Sequence, residues 1–366
     1  MTQSERSFES WEVRRQATQL VAVGRALADL ADHDPRIVVG TADLKYATLV
    51  SEFEERHPDR FFQFGIAERN MFGAAAGMAT SGLVPYVSTF ASFSGLLGYE
   101  AIRTDLAYPQ VPVRVLATHA GISMGFFSTS HHATEDLAAL RAVAGLTVLS
   151  PADGRSAAAL LEETVDLPGP IYVRLGRGRE PSVYEELPAG FGFGRPQRVR
   201  EGADLLVVAT GIMVGNAVAA ADDLAARGIA AGVLDVHTIK PFPTAALVEA
   251  MATAPAVLVV EEHNVEGGLG TMVGEAAAAA GLRVPILKHG IPDEYCIIGP
   301  PAHCYAYYAL DAPGIATVAE RFVGRSGTWF DGAHRECWTE ADRAAAIAAA
   351  RSGDREPPDL SSVGLD

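Results

Sequence analysis

The sequence predicts an α/β protein built of two doubly wound, mostly parallel α/β domains, and three observations carry that prediction. Short runs of Val, Ile and Leu, such as those at 37–39, 205–208 and 257–260, recur between stretches with helical apolar spacing. Strands that are apolar on both faces and alternate with helices belong to parallel sheets covered on both sides. The series is interrupted once, between Gly176 and Arg200, by text dense in Gly and Pro without lasting periodicity. A chain of 366 residues is also long enough for two cores.

In order, the apolar positions Leu20, Val21, Val23, Leu27 and Leu30 predict a helix over 11–30 that stops before Asp34-Pro35. Alternating strands and helices follow. Strands are expected at 37–40, 61–64, 84–90, 113–118, around 148 and at 171–175, with helices at 49–56, 68–80, 93–106, after Thr134 and from Asp153. This defines a first domain at 11–180, followed by a linker at 181–200. A second, smaller domain at 201–324 repeats the rhythm, with strands at 205–209, 231–236, 257–260 and 284–287 and helices at 214–226, from Thr244 and at 270–280. An extension at 325–366 holds one Ala-rich helix, 339–350, and a polar tail expected to be mobile.

The composition, 49% apolar and 20% charged, is globular, and the net charge of −16 argues against a nucleic-acid or anionic-membrane surface. Cys296, Cys304 and Cys337 are odd in number and lack metal-ligand spacing, which reads as reduced thiols. The chain start has no basic and apolar signal-peptide pattern, and no apolar run reaches membrane-spanning length, so the expected place is the cytoplasm.

Several polar groups fall just after expected strands, at the rim where parallel sheets bind ligands. Glu68 opens a small-residue helix directly after the strand at 61–64; interaction with the positive end of the helix dipole is a sufficient reason for an acid there. Phe90 and Phe93 stand at i and i+3, as an ordinary core pair or as an aromatic slot. Asp43 follows the strand at 37–40, where a turn Asp is common. His119 ends a strand, and His131 lies in a Gly- and Ser-rich loop at 121–132, where neutral imidazoles serve either structure or a substrate hydroxyl. The two histidines lack the spacing and carboxylates of a metal site. Arg174, Arg177 and Arg179, with Arg15, are surface cations or a phosphate cluster.

Taken together, Phe-Gly-Ile-Ala-Glu-Arg-Asn at 64–70, Tyr-Val-Ser-Thr-Phe-Ala-Ser-Phe at 86–93, Ala-Thr-His at 117–119, Thr-Ser-His at 129–131 and Ser-Pro-Ala-Asp-Gly at 150–154 resemble the second half of the transketolase family in order and spacing. The resemblance spans about residues 14–323 and implies a pyrimidine-binding domain for thiamine diphosphate followed by a C-terminal transketolase-like domain. It implies that Glu68 corresponds to the acid that hydrogen-bonds the far nitrogen of the aminopyrimidine and promotes its imino tautomer. Burial among Phe62, Phe64 and Phe72 would keep that proton shared. It further implies that Phe90 and Phe93 stack on the pyrimidine, that Asp43 lies near the cofactor, and that His119 and His131 contact substrate and intermediate, with His132 in place of a family Gln. Arg177 and Arg15 match phosphate-binding arginines. The stretch 261–270, Glu-Glu-His-Asn-Val-Glu-Gly-Gly-Leu-Gly, resembles a strand-to-helix turn assigned to structure and assembly.

Two departures qualify the resemblance. The Gly-Asp-Gly motif that holds Mg²⁺ and the diphosphate in full-length transketolases is absent from the sequence. This implies a partner chain carrying that half, in an α₂β₂ assembly. In addition, residues 127–131 read Phe-Ser-Thr-Ser-His where the family has Asp-Gly-Pro-Thr-His, so a carboxylate that contacts a ketose hydroxyl is lost. The sequence-level reading is therefore a subunit of a split transketolase acting on sugar-like, phosphorylated substrates. The alternatives are the beta subunit of a 2-oxo-acid dehydrogenase-like enzyme and a non-catalytic assembly subunit.

Overall fold

The computed structural model describes residues 18–178, 180–324 and 337–353. Arg15, Arg179, the expected start of the first helix and the polar tail lie outside the described residues.

Two sheets organise the chain. The first contains β1 (Ile37–Thr41), β2 (Phe61–Gln63), β3 (Val84–Phe90), β4 (Arg114–Thr118), β5 (Thr147–Leu149) and β6 (Ile171–Arg174). The second contains β7 (Gln197–Arg200), β8 (Leu205–Ala209), β9 (Ala231–Asp235), β11 (Val257–Asn264) and β12 (Ile286–Ile291), whereas β10 (Thr238–Lys240) joins the first. The orders are β10-β5-β6-β4-β3-β1-β2 and β12-β11-β8-β9-β7. All pairings are parallel except those of β10 with β5 and β7 with β9. Strands β1, β3, β4 and β6 are buried along their whole length, which explains their mainly apolar text.

Four differences from the sequence-level reading have physical causes. The first helix, Gln19–His33, continues past Leu30, and Asp34 caps it by donating its backbone N–H to Leu30 O. The segment 181–200 is not all linker, because its end forms edge strand β7, whose Gln-Arg-Val-Arg text carries too little apolar alternation to read as a strand. Strand β10, from the second half of the chain, completes the first sheet at β5, and Lys240 donates to the carbonyls of Arg141 and Val143 there. The stretch expected as a helix at 93–106 is π-helical over Phe93–Leu97 and Ile102–Ala107, with only Tyr99–Ala101 in α form. A Cβ on Gly98 would lie 2.3 Å from the Phe72 ring, so glycine there lets the helix Glu68–Thr80 approach closely.

The described part of the extension, residues 337–353, packs on the second sheet's helices. Cys337 and Trp338 are buried, and in the helix Glu340–Gly353 the Asp342 carboxylate forms a two-pronged pair with Arg321 at 2.6 and 2.9 Å. All three cysteines are buried, and none is in a disulfide bond. No described helix is long and apolar enough to cross a membrane.

Candidate active site

The expected site residues gather at the carboxyl ends of neighbouring strands of the first sheet. Asp43 follows β1, Glu68 follows β2, Phe90 ends β3, His119 follows β4 and Arg177 follows β6. A doubly wound sheet leaves this rim open, because each crossover helix returns from it to the opposite edge.

Glu68 is the first residue of the helix Glu68–Thr80 and is 6% exposed. The cap residue Ala67 offers no side-chain hydrogen bond, and no hydrogen bond or ion pair to the Glu68 carboxyl exists among the described residues. Of the three phenylalanines expected around it, Phe72 is fully buried, whereas Phe62 and Phe64 are partly exposed. Elsewhere the chain caps a helix in full: Asp153 and Ser156 form a reciprocal capping box at the helix Gly154–Thr164. The Glu68 carboxyl has the helix dipole as company but no such bonds.

Aromatic rings line the next positions on the rim. The Phe90 ring lies 4.3 Å from the His119 ring and 5.5 Å from Phe93, centroid to centroid. His131 meets the edge of Phe93 at 5.2 Å and packs on Phe127 at 5.1 Å. Phe90 is 6% exposed, while Phe93 and His131 are half-buried. The pair is thus not a sealed core pair, since one ring remains accessible.

Each imidazole Nδ1 meets a neighbouring hydroxyl. The Thr118 hydroxyl lies 2.9 Å from Nδ1 of His119 and 3.4 Å from Thr89 O, and the Nδ1–H tautomer satisfies both contacts at once, with Nε2 then an acceptor. Ser130 makes the same arrangement for His131, donating to Phe127 O at 3.3 Å and meeting Nδ1 at 2.9 Å. Burial, aided by Arg177 and His131, pushes the His119 pKa down to about 3, and burial also lowers that of His131. Both rings are therefore held in the neutral form, and in the Nδ1–H tautomer each presents Nε2 to a hydroxyl. His132 is buried with neither ring nitrogen in hydrogen-bond geometry among the described residues, and burial lowers its pKa against an opposing influence of the Gly125 backbone.

Backbone geometry marks the same region. Asp43, His119 and Ser128 have φ of 60°, 59° and 66°, the left-handed region that L-residues seldom enter. The His119 N–H donates to Gly176 O at 3.0 Å, which holds its turn. Asp43 is exposed, and its N–H donates to the Gln63 side chain at 2.6 Å.

The arginines divide. Arg174 is buried against Asp136, with Nε to Oδ2 at 2.9 Å, and donates to two backbone carbonyls, so it belongs to the framework rather than to a phosphate cluster. Burial opposes its charge, but Asp136 and Glu262 hold its pKa above the ordinary value. Arg177 remains at the rim, half-buried, and donates to Ser123 O at 3.3 Å. Among the described residues no group of three or more His, Cys, Asp or Glu is placed to hold a metal ion.

With this geometry in view, known proteins give a consistent match. The family model for the transketolase pyrimidine binding domain matches residues 16–181, and that for the transketolase C-terminal domain matches 194–315. The chain belongs to the transketolase family. It is 36% identical to a putative transketolase C-terminal section of Methanocaldococcus jannaschii, over 80% of this chain and 92% of that one. It is equally similar, at 36%, to a subunit of the apulose-4-phosphate transketolase of Phocaeicola vulgatus, over 81% and 95% of the two chains. A solved split gene transketolase, described as an inactive beta4 tetramer, superposes with a TM-score of 0.73 at 37% identity, covering 84% of this chain and 98% of its own.

Sequence reasoning missed Phe127 as a ring partner of His131 and Asp136 as the partner of Arg174. Phe127 stood in a loop without periodicity, and Asp136 looked like an ordinary acid in a first helical turn.

Proposed function

We propose that this chain is the pyrimidine-binding and C-terminal subunit of a two-chain, thiamine diphosphate-dependent transketolase that moves a two-carbon ketol unit between sugar-like, phosphorylated substrates. The observation that carries the reading is Glu68, a residue only 6% exposed whose carboxyl has no side-chain partner among the described residues, on the same rim as the Phe90, Phe93, His119 and His131 rings. Family membership implies thiamine diphosphate, and the residues fit its pyrimidine: one accessible aromatic slot, and one carboxyl free to meet a ring nitrogen. When bound, the cofactor supplies a carbon nucleophile that also serves as an electron sink.

Each residue of this chain then has a task. Glu68 holds and shares a proton at the pyrimidine nitrogen, acting as the general acid–base group. Phe90 and Phe93 stack on the ring and exclude water, and Asp43 lies at the cofactor's edge. His119 and His131 accept hydrogen bonds at Nε2 from substrate hydroxyls, so the oxygen can be oriented and its proton held. Arg177, with Arg15, meets a substrate phosphate.

The diphosphate and Mg²⁺ fall to a partner chain bearing the Gly-Asp-Gly motif that this sequence lacks, in an α₂β₂ complex in the cytoplasm. The Phocaeicola vulgatus relative, named as one subunit of a transketolase, and the inactive β₄ state of the split-gene structure support this division. Co-purification from the native cell tests it: the chain should draw down a companion with Gly-Asp-Gly, and only the pair should transfer ketol units. Full turnover by the purified chain alone would refute the reading.

A further inference from the structure

The loop that carries His131 closes at a neck, where Gly121 and Ala133 exchange backbone hydrogen bonds of 3.0 and 2.9 Å. The end of β11, in the other sheet, grips both feet of that neck. The Glu262 carboxylate accepts from the Ile122 N–H at 2.7 Å and from the Tyr305 hydroxyl at 2.6 Å. Arg174 bridges the carbonyls of Ala133 and Glu262 at 3.0 Å each. The Asn264 N–H donates to Thr134 O at 2.7 Å, and the Ala138 N–H donates to Nε2 of His263 at 3.2 Å. Glu262 and Asn264 of β11 therefore hold the entry and the exit of the loop, and His263 between them holds the helix Asp136–Arg141 that follows it.

The contact at Glu262 is close. Gly121 has φ 62°, and a Cβ on it would lie 2.1 Å from the Glu262 carboxyl carbon, so the neck admits no side chain there. Glu262 is 2% exposed, and burying a carboxylate is costly unless its oxygens are bonded. Burial raises its pKa to about 7, against the opposing pull of Arg174, Tyr305 and the Ile122 N–H. A strand end that only had to pack would not require an acid at this position.

We propose that Glu262 is a positioning residue for His131: its carboxylate, steadied by Tyr305, fixes the neck of the loop and thereby the place of the imidazole on the rim. The inference rests on the reading of His131 as a substrate contact. It gives the stretch 261–270, which the sequence assigned to structure and assembly, a part in the reaction.

Amide hydrogen exchange and ketol transfer on the full chain, assembled with its diphosphate-binding partner, test it through Glu262→Ala, Glu262→Gln and Tyr305→Phe. The glutamine keeps a carbonyl oxygen for both donors; the alanine removes both bonds. Glu262→Ala should raise exchange across 121–133 by about tenfold or more, as loss of a charge-assisted hydrogen bond implies, with β8 and β12 unchanged. Its kcat should fall by a similar factor without a change in the KM for thiamine diphosphate, and Glu262→Gln should restore most of both. Should the alanine variant not fold, Tyr305→Phe decides on the same readouts. Unchanged loop exchange, a rise spread evenly over the second sheet, or a loosened loop with full activity would each overturn the proposal. A wild-type assembly inert towards every ketose would refute the transketolase reading instead, and the exchange comparison alone would then judge the clamp.

Discussion

The rings of Phe90 and His119 pack 4.3 Å apart at an angle of 45°, with the His119 Nδ1 2.9 Å from the Thr118 hydroxyl. Burial in this packing keeps His119 neutral across the physiological range. Its pKa, pushed down to about 3 by burial and by the neighbouring Arg177 and His131, lies far below ordinary histidine. In the nitrogen NMR spectrum of the labelled chain, His119 should show the Nδ1–H tautomer and no titration between about pH 5 and 8. A midpoint near 6.5 would contradict the burial-driven assignment.

The ion pair between Arg174 and Asp136 is enclosed, with Asp136 fully buried and also accepting from Tyr172 at 2.9 Å. Removing one partner leaves an uncompensated buried charge, so Asp136→Ala should lose about 3–5 kcal/mol of stability. Urea denaturation at neutral pH measures this. A loss below about 1 kcal/mol, typical of exposed pairs, would return the pair to a surface role.

Asp235 sits fully buried at the end of β9, where Oδ2 accepts from the Tyr184 hydroxyl at 2.7 Å and Oδ1 has no partner among the described residues. Burial raises its pKa to about 7, with Tyr184 lowering and Asp153 adding to the shift. A carboxyl whose folded pKa exceeds its unfolded value favours the fold below the unfolded pKa and loses that contribution as pH rises through the folded one. Asp235→Asn keeps the bond from Tyr184 but cannot ionise. Its stability relative to wild type should therefore climb by a few kcal/mol between about pH 4 and 7 and level off above. Parallel stability curves for the two proteins would contradict this.

Much of this was legible in the sequence because the first sheet is buried on both faces. The helix Glu68–Thr80 and strand β3 (Val84–Phe90) match their expected bounds, since a strand-forming run of mainly apolar and β-branched residues and a small-residue helix leave few alternatives. The short strands β7 and β10 were not legible, because each pairs at a sheet edge through its backbone and has no apolar period of its own. The rim residues were named from motif spacing, but spacing cannot tell Arg174 from Arg177. Only the fold shows that one points at buried Asp136 and the other stays at the rim. The grip of Glu262 on Ile122 joins residues 140 positions apart, beyond the reach of any local pattern.

The central claim is that Glu68 moves a proton rather than merely starting a helix. Glu68→Gln keeps size and packing but cannot share a proton with the pyrimidine nitrogen. The direct measurement is exchange of the C2 proton of thiamine diphosphate, bound to the reconstituted complex, together with the melting temperature of the same variant. Exchange should slow by roughly 10²- to 10⁴-fold with the melting temperature nearly unchanged. Unchanged exchange with a lowered melting temperature, the signature of a lost helix-dipole interaction of about 0.3–1 kcal/mol, would contradict the account.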